Sequence, residues 1–595
     1  MDEMKQQMAE QFSTIVQKGM YSDADEMLSQ LRETVSPDEY LSEDLCITAA
    51  FLYNRLDKKE IELYYLQQGF LINPSNPSLF ISLADYYSKT NVVQELICLY
   101  QALYLAERVK SDEQVSFITQ IIAALESNQV SVPKTSIVIL SYNTLDYLKQ
   151  CLDSVKNTIP LKRCQVIVVD NASTDGSLEY LRSLDWITLV ENHENRGFPG
   201  GCNDGIKAAE GGNDIWLLNS DTIVPENALF WLKIGLYESD NTGSCGSISN
   251  FAANGQNVEV YAESIEDYLK SGEKFNVPQE HPYVFDSYLV GFSLLLKRSA
   301  LDKIGLLDER FFPGNGEDLD LGLRMVHEGY LNRLCVNSFV FHYGNKSFEQ
   351  LLDSLQDYAD LGEVNNKKLL EKLGFDQDPN FNNQRPEILE EINTDRDSKI
   401  NVLEINCGLG QGAANIKTMF PNACYVGTEL NAKAASYAKV YGDVYVTGID
   451  TMELPEKYCQ YFDYIILGDA LQFSANPKAV LVKLSGFLKT EGKLILSISN
   501  LRHYSVLLPL LSEGRFSYTD DGVIQKKMRI LFTENEAARL ISANGYIIKD
   551  IKPLAGDKPS IDDRKLLDSV AELFDQPDIE DFLTKEYIFA AEKMH

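Results

Sequence analysis

Positive charge is what this chain has least of for its size. Its 54 Lys and Arg face 88 Asp and Glu, which leaves a formal net charge of −34 over 595 residues. Such a surface repels phosphate backbones and anionic bilayers, so neither nucleic acid nor a membrane surface is expected as the main partner, although local basic pockets are compatible with it. Histidine is scarce, with six residues, and none of the ten cysteines stands in a CxxC pair or beside His at metal-ligand spacing. That argues against a zinc module or a disulfide framework and predicts reduced, mostly buried thiols of a cytoplasmic protein. Long apolar runs are also missing: "YLVGF" and "SLLLK" are strand-sized, and "MDEMKQQMAE" carries no basic patch ahead of an apolar stretch. Neither a membrane span nor a signal peptide is expected.

What is present describes a folded, multidomain chain. Hydrophobic residues make up 44% and charged residues 24%, and 595 residues imply roughly three or four domains. Laid on itself at an offset of 34, the first 130 residues repeat: Ile47 falls on Ile81, Ala50 on Ala84, Tyr53 on Tyr87, Gln67 on Gln101 and Leu71 on Leu105. Apolar residues recur at helical spacing inside each copy, and "INPSNP" (72–77) separates two helical stretches, which predicts an α-solenoid over 1–130. The period resembles tetratricopeptide repeats. Such a solenoid serves either as a concave surface that grips a protein or as a helical spacer or dimerisation arm, and both readings stay open here.

At "VSVPKTSIVILSYN" the pattern turns to apolar strands that each end in polar residues, with helices between. "SIVIL" ends in Ser141 and Asn143, "CQVIVVD" in Asp170, Asn171 and Ser173, and "IWLLN" in Ser220 and Asp221. This layout predicts an α/β nucleotide-binding sheet over 131–350, with its ligand beyond the strand ends. The glycines of "HENRGFPGGCNDGI" permit close backbone approach to a ligand near Asn195 and Gly197. "GNGEDLDLGLR" places three acids, Glu317, Asp318 and Asp320, in a first helical turn. A polar, partly helical segment at 351–397 then leads through "DQDPNFNNQRPE" into a second strand–turn–helix organisation over 398–595.

Together, "SIVILSYN", "VIVVDNASTDGS", "NRGFPGGCNDGI", "LLNSDT" and "GLLDERFFPGNGEDLDLGLR" resemble the family 2 glycosyltransferases of the GT-A fold. The resemblance implies a metal-dependent enzyme that moves a sugar from a nucleotide-diphosphate donor to a hydroxyl with inversion. It places Ser141, Asn143, Asp170, Asn171, Ser173, Asn195, Gly197 and Asp221 at the nucleotide sugar, and Asp221 with His342 of "FHYGNKSF" on Mn2+ or Mg2+. It makes Asp318 the general base and Glu317 its neighbour, expected to position the acceptor, while Asp320 is expected to face elsewhere on the helix. Chemistry asks for the same parts: a hard cation for the diphosphate leaving group and a carboxylate for the acceptor proton.

"KINVLEINCGLGQGAANI", "CYVGTELN" and "FDYIILGDALQF" resemble class I methyltransferases that use S-adenosylmethionine, with a Rossmann-like fold. The resemblance assigns Glu404, Gly408, Gly410 and Glu429 to that cofactor. Asn406 stands where the family has its first glycine, and Gln472 where relatives carry His, so an active methylase and a fold retained for binding both remain open. The expected protein is a bacterial glycosyltransferase acting on a protein acceptor, such as flagellin or another surface protein, in preference to a glycan. The alternatives are a bifunctional transferase and methylase, or a non-catalytic scaffold. Self-association through the helical region is a further expectation.

Overall fold

The computed structural model describes residues 2–260, 264–344, 346, 355–374, 385–519, 522–556, 558–573 and 579–594. The expected linker "DQDPNFNNQRPE" falls largely outside these residues. The chain divides into two compact units, Met1–Leu373 and Gly374–His595.

The first unit opens with paired helices. Glu43–Arg55 and Lys59–Ile72 form one pair, and Pro77–Ser88 and Val92–Arg108 the next. The first members begin 34 residues apart, which is the offset of the sequence repeat, and Ala50 and Ala84 are both buried in it. Gly69 lets the pairs close up, because a Cβ there would lie 2.5 Å from Leu79 Cδ2. Asn76 and Asn91 cap the second pair by accepting backbone N–H groups with their side chains.

The repeat packs on the α/β domain of the same unit. Helix Ala228–Leu236 is buried along its whole length, and its Phe230 and Trp231 share one core with Phe70, Phe80 and Leu96 of the repeat. Gln94 Nε2 donates to Ile234 O at 2.9 Å and Asn227 Nδ2 donates to Pro74 O at 2.8 Å. This part of the repeat surface therefore holds its own chain.

The domain's sheet contains β1 (Thr135–Ser141), β2 (Cys164–Asp170), β3 (Thr188–Glu191), β4 (Asp214–Asn219), β6 (Thr242–Ile248), β7 (Tyr283–Asp286), β8 (Ser293–Leu296) and β9 (Leu331–Phe339). Their order is β3-β2-β1-β4-β8-β6-β9-β7. β3, β2, β1 and β4 run parallel, and β8 runs antiparallel to both neighbours. A small antiparallel pair, β5 (Thr222–Ile223) with β10 (Phe341–His342), lies beyond the end of β4. Helix Leu355–Leu373, within the segment expected to be partly helical, belongs to this unit: Asn365 Nδ2 donates to the carbonyls of Gly314 and Asn315.

The second unit holds β11 (Asn401–Ile405), β12 (Cys424–Glu429), β13 (Asp443–Val446), β14 (Phe462–Leu467), β15 (Leu488–Ser499), β16 (Tyr546–Ala555) and β17 (Thr584–Lys593). The order is β13-β12-β11-β14-β15-β17-β16, with β17 antiparallel to both neighbours. Apolar strands such as "VLEI" and "YIIL" are covered on their faces by helices, giving the Rossmann-like sheet the sequence predicted. All ten cysteines are free thiols. Among the described residues no helix is long and apolar enough to cross a membrane.

Candidate functional site

Parallel register brings the polar strand ends of the first unit to one edge. Ser141 lies opposite Asp170 across β1 and β2, and Leu140 opposite Asn219 across β1 and β4. Beyond β4, the short pair sets His342 opposite Thr222, and Tyr343 N donates to Asp221 O at 2.9 Å. The metal candidates thus meet through a two-residue strand pairing rather than through sequence spacing.

His342 Nδ1 lies 2.8 Å from the Phe251 carbonyl, which can only accept, so Nδ1 carries a proton. In the neutral ring Nε2 then presents a lone pair, 3.2 Å from Asp221 Oδ1 and 3.4 Å from Asn219 Nδ2. Phe292 stacks on the imidazole at 5.1 Å and fixes its plane. A lone pair and a carboxylate facing one spot fit a divalent cation, with the ring oriented by a backbone carbonyl. Burial raises the Asp221 carboxyl, but with no metal bound a proton on His342 Nε2 takes the cation's place, and together with the N–H of Lys346 it outweighs burial and holds the group below the ordinary Asp value. Among the described residues no three His, Cys, Asp or Glu side chains form a closed metal cage. Remaining ligands would therefore come from a bound ligand or water.

The acids arrive on helix Glu317–His327, after Gly314, Asn315 and Gly316, which all have positive φ. That turn needs glycine or asparagine, as "GNG" supplies. Asp318 Oδ1 accepts from Leu319 N at 2.8 Å and Oδ2 from Gly291 N at 3.4 Å. Burial outweighs these bonds and raises its carboxyl above the ordinary Asp value, which makes it a stronger proton acceptor than an exposed Asp. Glu317 is buried; its Oε2 has no hydrogen-bond partner, and burial with the Asp318 charge pushes its carboxyl well above the usual value. Asp320 turns away and pairs with Arg324 at 2.8 Å and Lys372 at 2.5 Å.

One cavity of about 320 Å³ brings Asn171, Asn195, Gly197, Asp221, Glu317, Asp318 and His342 together. Ser141, Asn143, Asp170 and Ser173 are not among its walls. Instead Ser173 Oγ accepts from Asn143 N, and Asp170 Oδ2 accepts from Ser173 N. Asp170 Oδ1 is buried without a partner, and so is Ser141 Oγ. Asn171 ties the glycine loop down, donating to Asn195 Oδ1 at 2.8 Å and accepting from Arg196 N at 3.1 Å. Gly197 has φ 68°, and a Cβ there would sit 2.8 Å from Pro313 O, so this loop and the acid turn meet only through glycine. Sequence reasoning missed Tyr142, Tyr288 and Lys346 in the wall and Asn250, which holds His342 through both backbone groups. None of them carries a local signal beyond an ordinary polar or aromatic loop residue.

In the second unit, Asn406, Gly408 and Gly410 all have positive φ. Asparagine tolerates that region better than most residues, so the missing first glycine leaves the turn intact. Glu429 Oε2 accepts from Gly408 N at 3.1 Å and Oε1 from Asn431 N at 2.8 Å, at the tip of β12. Glu404 instead points under the turn, accepting from Tyr425 Oη at 2.6 Å, and burial pushes its carboxyl up to about 7. Gln472 is spent on structure, bonding Ser499 through both side-chain atoms at 3.0 Å. Beyond β14, Arg385 reaches Asp469 at 2.6 Å, Glu586 at 2.7 Å and Glu387 at 2.5 Å.

The α/β domain with this cavity is followed by a Rossmann-like one, and both match known families. Residues 136–304 match the family model Glycosyl transferase family 2, and residues 385–524 match Methionine biosynthesis protein MetW. The chain thus carries a family 2 glycosyltransferase domain and a methyltransferase-like domain. It is 32% identical over 140 residues to poly(ribitol-phosphate) beta-glucosyltransferase of Bacillus spizizenii, a match that spans 22% of each protein. EpsH of Bacillus subtilis, a glycosyltransferase by name, is 25% identical over 257 residues, 40% of this chain and 72% of its own length. Among solved structures, mannosyltransferase PcManGT from Pyrobaculum calidifontis, in complex with GDP-Man and Mn2+, is 18% identical over 42% of this chain and 69% of its own, with a TM-score of 0.28.

Proposed function

We propose that the first unit is an inverting, metal-dependent glycosyltransferase that moves a sugar from a nucleotide-diphosphate donor to a hydroxyl. The supporting observation is the single cavity in which the Asp221–His342 pair and Asp318 occupy the same walls. Asp221 and His342 would hold Mn2+ or Mg2+, which supplies charge for the departing diphosphate. Asn171, Asn195 and Gly197 line the donor side, and Ser141, Asn143, Asp170 and Ser173 brace the loops beneath it. Asp318 takes the acceptor proton as the hydroxyl attacks the anomeric carbon.

For the acceptor, a glycan or polyol polymer now ranks ahead of a protein such as flagellin. The repeat that favoured a protein is partly occupied by helix Ala228–Leu236, and one relative is named for poly(ribitol-phosphate). A bifunctional reading has its own support: the left-handed turn at Asn406–Gly410 and the Glu429 carboxylate at the β12 tip retain the parts of an S-adenosylmethionine site.

Turnover of a nucleotide-sugar panel, with and without Mn2+ or Mg2+, tests the reading. Metal-dependent consumption of one donor, lost in Asp221→Ala, is expected; no binding of any donor would favour the scaffold reading.

A further inference from the structure

Glu317 and Asp318 are neighbours in one helical turn, yet their surroundings differ. Both Asp318 oxygens accept backbone N–H groups, from Leu319 and Gly291, which suits an ion. Glu317 is only 5% exposed; backbone groups of Asn315 and of Glu317 itself act on its carboxyl, but Oε2 has no partner, and the residue lines the cavity. The charges acting on it are Asp318 and Asp320 on its own helix, with Cys202 on helix Gly197–Ala208 and Tyr288 nearby; the cavity's Lys346 and His342 meet Asp221 instead, through the Lys346 backbone N–H and the His342 ring, and neither acts on Glu317. A buried carboxylate without a counter-charge is costly, and two adjacent carboxylates do not both ionise easily, so the buried member keeps its proton.

We propose that Glu317 works as a neutral acid that donates a hydrogen bond from its carboxyl to an oxygen of the bound acceptor, positioning the attacked hydroxyl at Asp318. This rests on the glycosyltransferase reading and deepens it. The two adjacent carboxyls then do opposite work: Asp318 receives the acceptor's proton, and Glu317 keeps its own throughout. A neutral Glu317 also spares the anionic donor a third negative charge beside Asp221 and Asp318.

Glutamine separates this role from an ionised one, because its amide N–H can replace a carboxyl O–H as donor but cannot replace a carboxylate. We would assay full-length wild type, Glu317→Gln and Glu317→Ala for transfer to methyl hexopyranosides. Glu317→Gln should keep acceptor KM and kcat within about threefold and lose any alkaline fall in rate that titrating Glu317 imposes, whereas Glu317→Ala should raise acceptor KM at least tenfold. Equal damage in both variants overturns the proposal. Infrared difference spectra of wild type against Glu317→Gln at neutral pH give a readout independent of turnover. Loss of a protonated carboxyl C=O band is expected, and loss of carboxylate bands overturns the proposal. Absence of transfer by wild type would overturn the transferase reading alone, leaving the infrared arm to decide Glu317.

Discussion

His342 Nε2 lies 3.2 Å from Asp221 Oδ1, with the opposite ring nitrogen locked as a donor to the Phe251 carbonyl. The pair is thereby set to face one cation, a metal ion or, where none is bound, a proton. His342→Ala should weaken metal-dependent donor binding at least ~10-fold, read as donor Kd with and without Mn2+. Unchanged metal dependence would remove His342 from the site.

Asp318→Asn keeps the size of the side chain and removes its basicity. Transfer should fall by roughly 10²–10⁴-fold while donor affinity stays near the wild-type value, measured as kcat against donor Kd. Parallel losses in both would point to a folding defect of the turn.

Glu404 titrates near 7 in the folded protein and near ~4.3 when unfolded. Between those values the folded state holds an extra proton, so the Glu404 contribution to stability of the second unit should fall as pH rises from about 4.3 to 7 and level off above. The fall is of the order of 3 kcal/mol. Glu404→Gln should remove that share of the slope in urea unfolding followed across that range, leaving the share of Glu586, whose carboxyl burial pushes up to about 8.

Arg385 joins three carboxylates, from Glu387, Asp469 and Glu586, while being 16% exposed itself. Arg385→Ala strands buried acids and should cost about 3–5 kcal/mol in urea unfolding of the second unit. Arg385→Lys should recover little, since an ammonium lacks the planar fork that meets three partners.

The strand tips were legible because an apolar run such as "IWLL" ending in "NSD" shows a buried strand surfacing, and parallel pairing then forces tips to one edge. The acid turn was legible through "GNG", where positive φ demands those residues. Asp221 and His342 could be matched only by resemblance, since 121 residues and a two-residue strand pair separate them. Polar residues at 355–373 gave no sign of docking, because Asn365 and Lys372 act through polar contacts that leave no apolar pattern. Ser141 and Asp170 were expected to face the ligand, but tip residues also brace their own loops, and sequence cannot divide the two tasks.

Phe230 and Trp231 give the helical repeat a meaning beyond recognition. They meet Phe80 and Phe70 with ring centroids 5.0 and 6.0 Å apart, inside a helix that exposes nothing to solvent. Cutting the chain near residue 130 would leave the catalytic domain with an uncovered aromatic face, prone to aggregate. The repeat and the transferase are therefore one inheritable piece: neither can be exchanged between proteins without its counterpart, and an engineered donor or acceptor change has to be made with the first 130 residues kept in place.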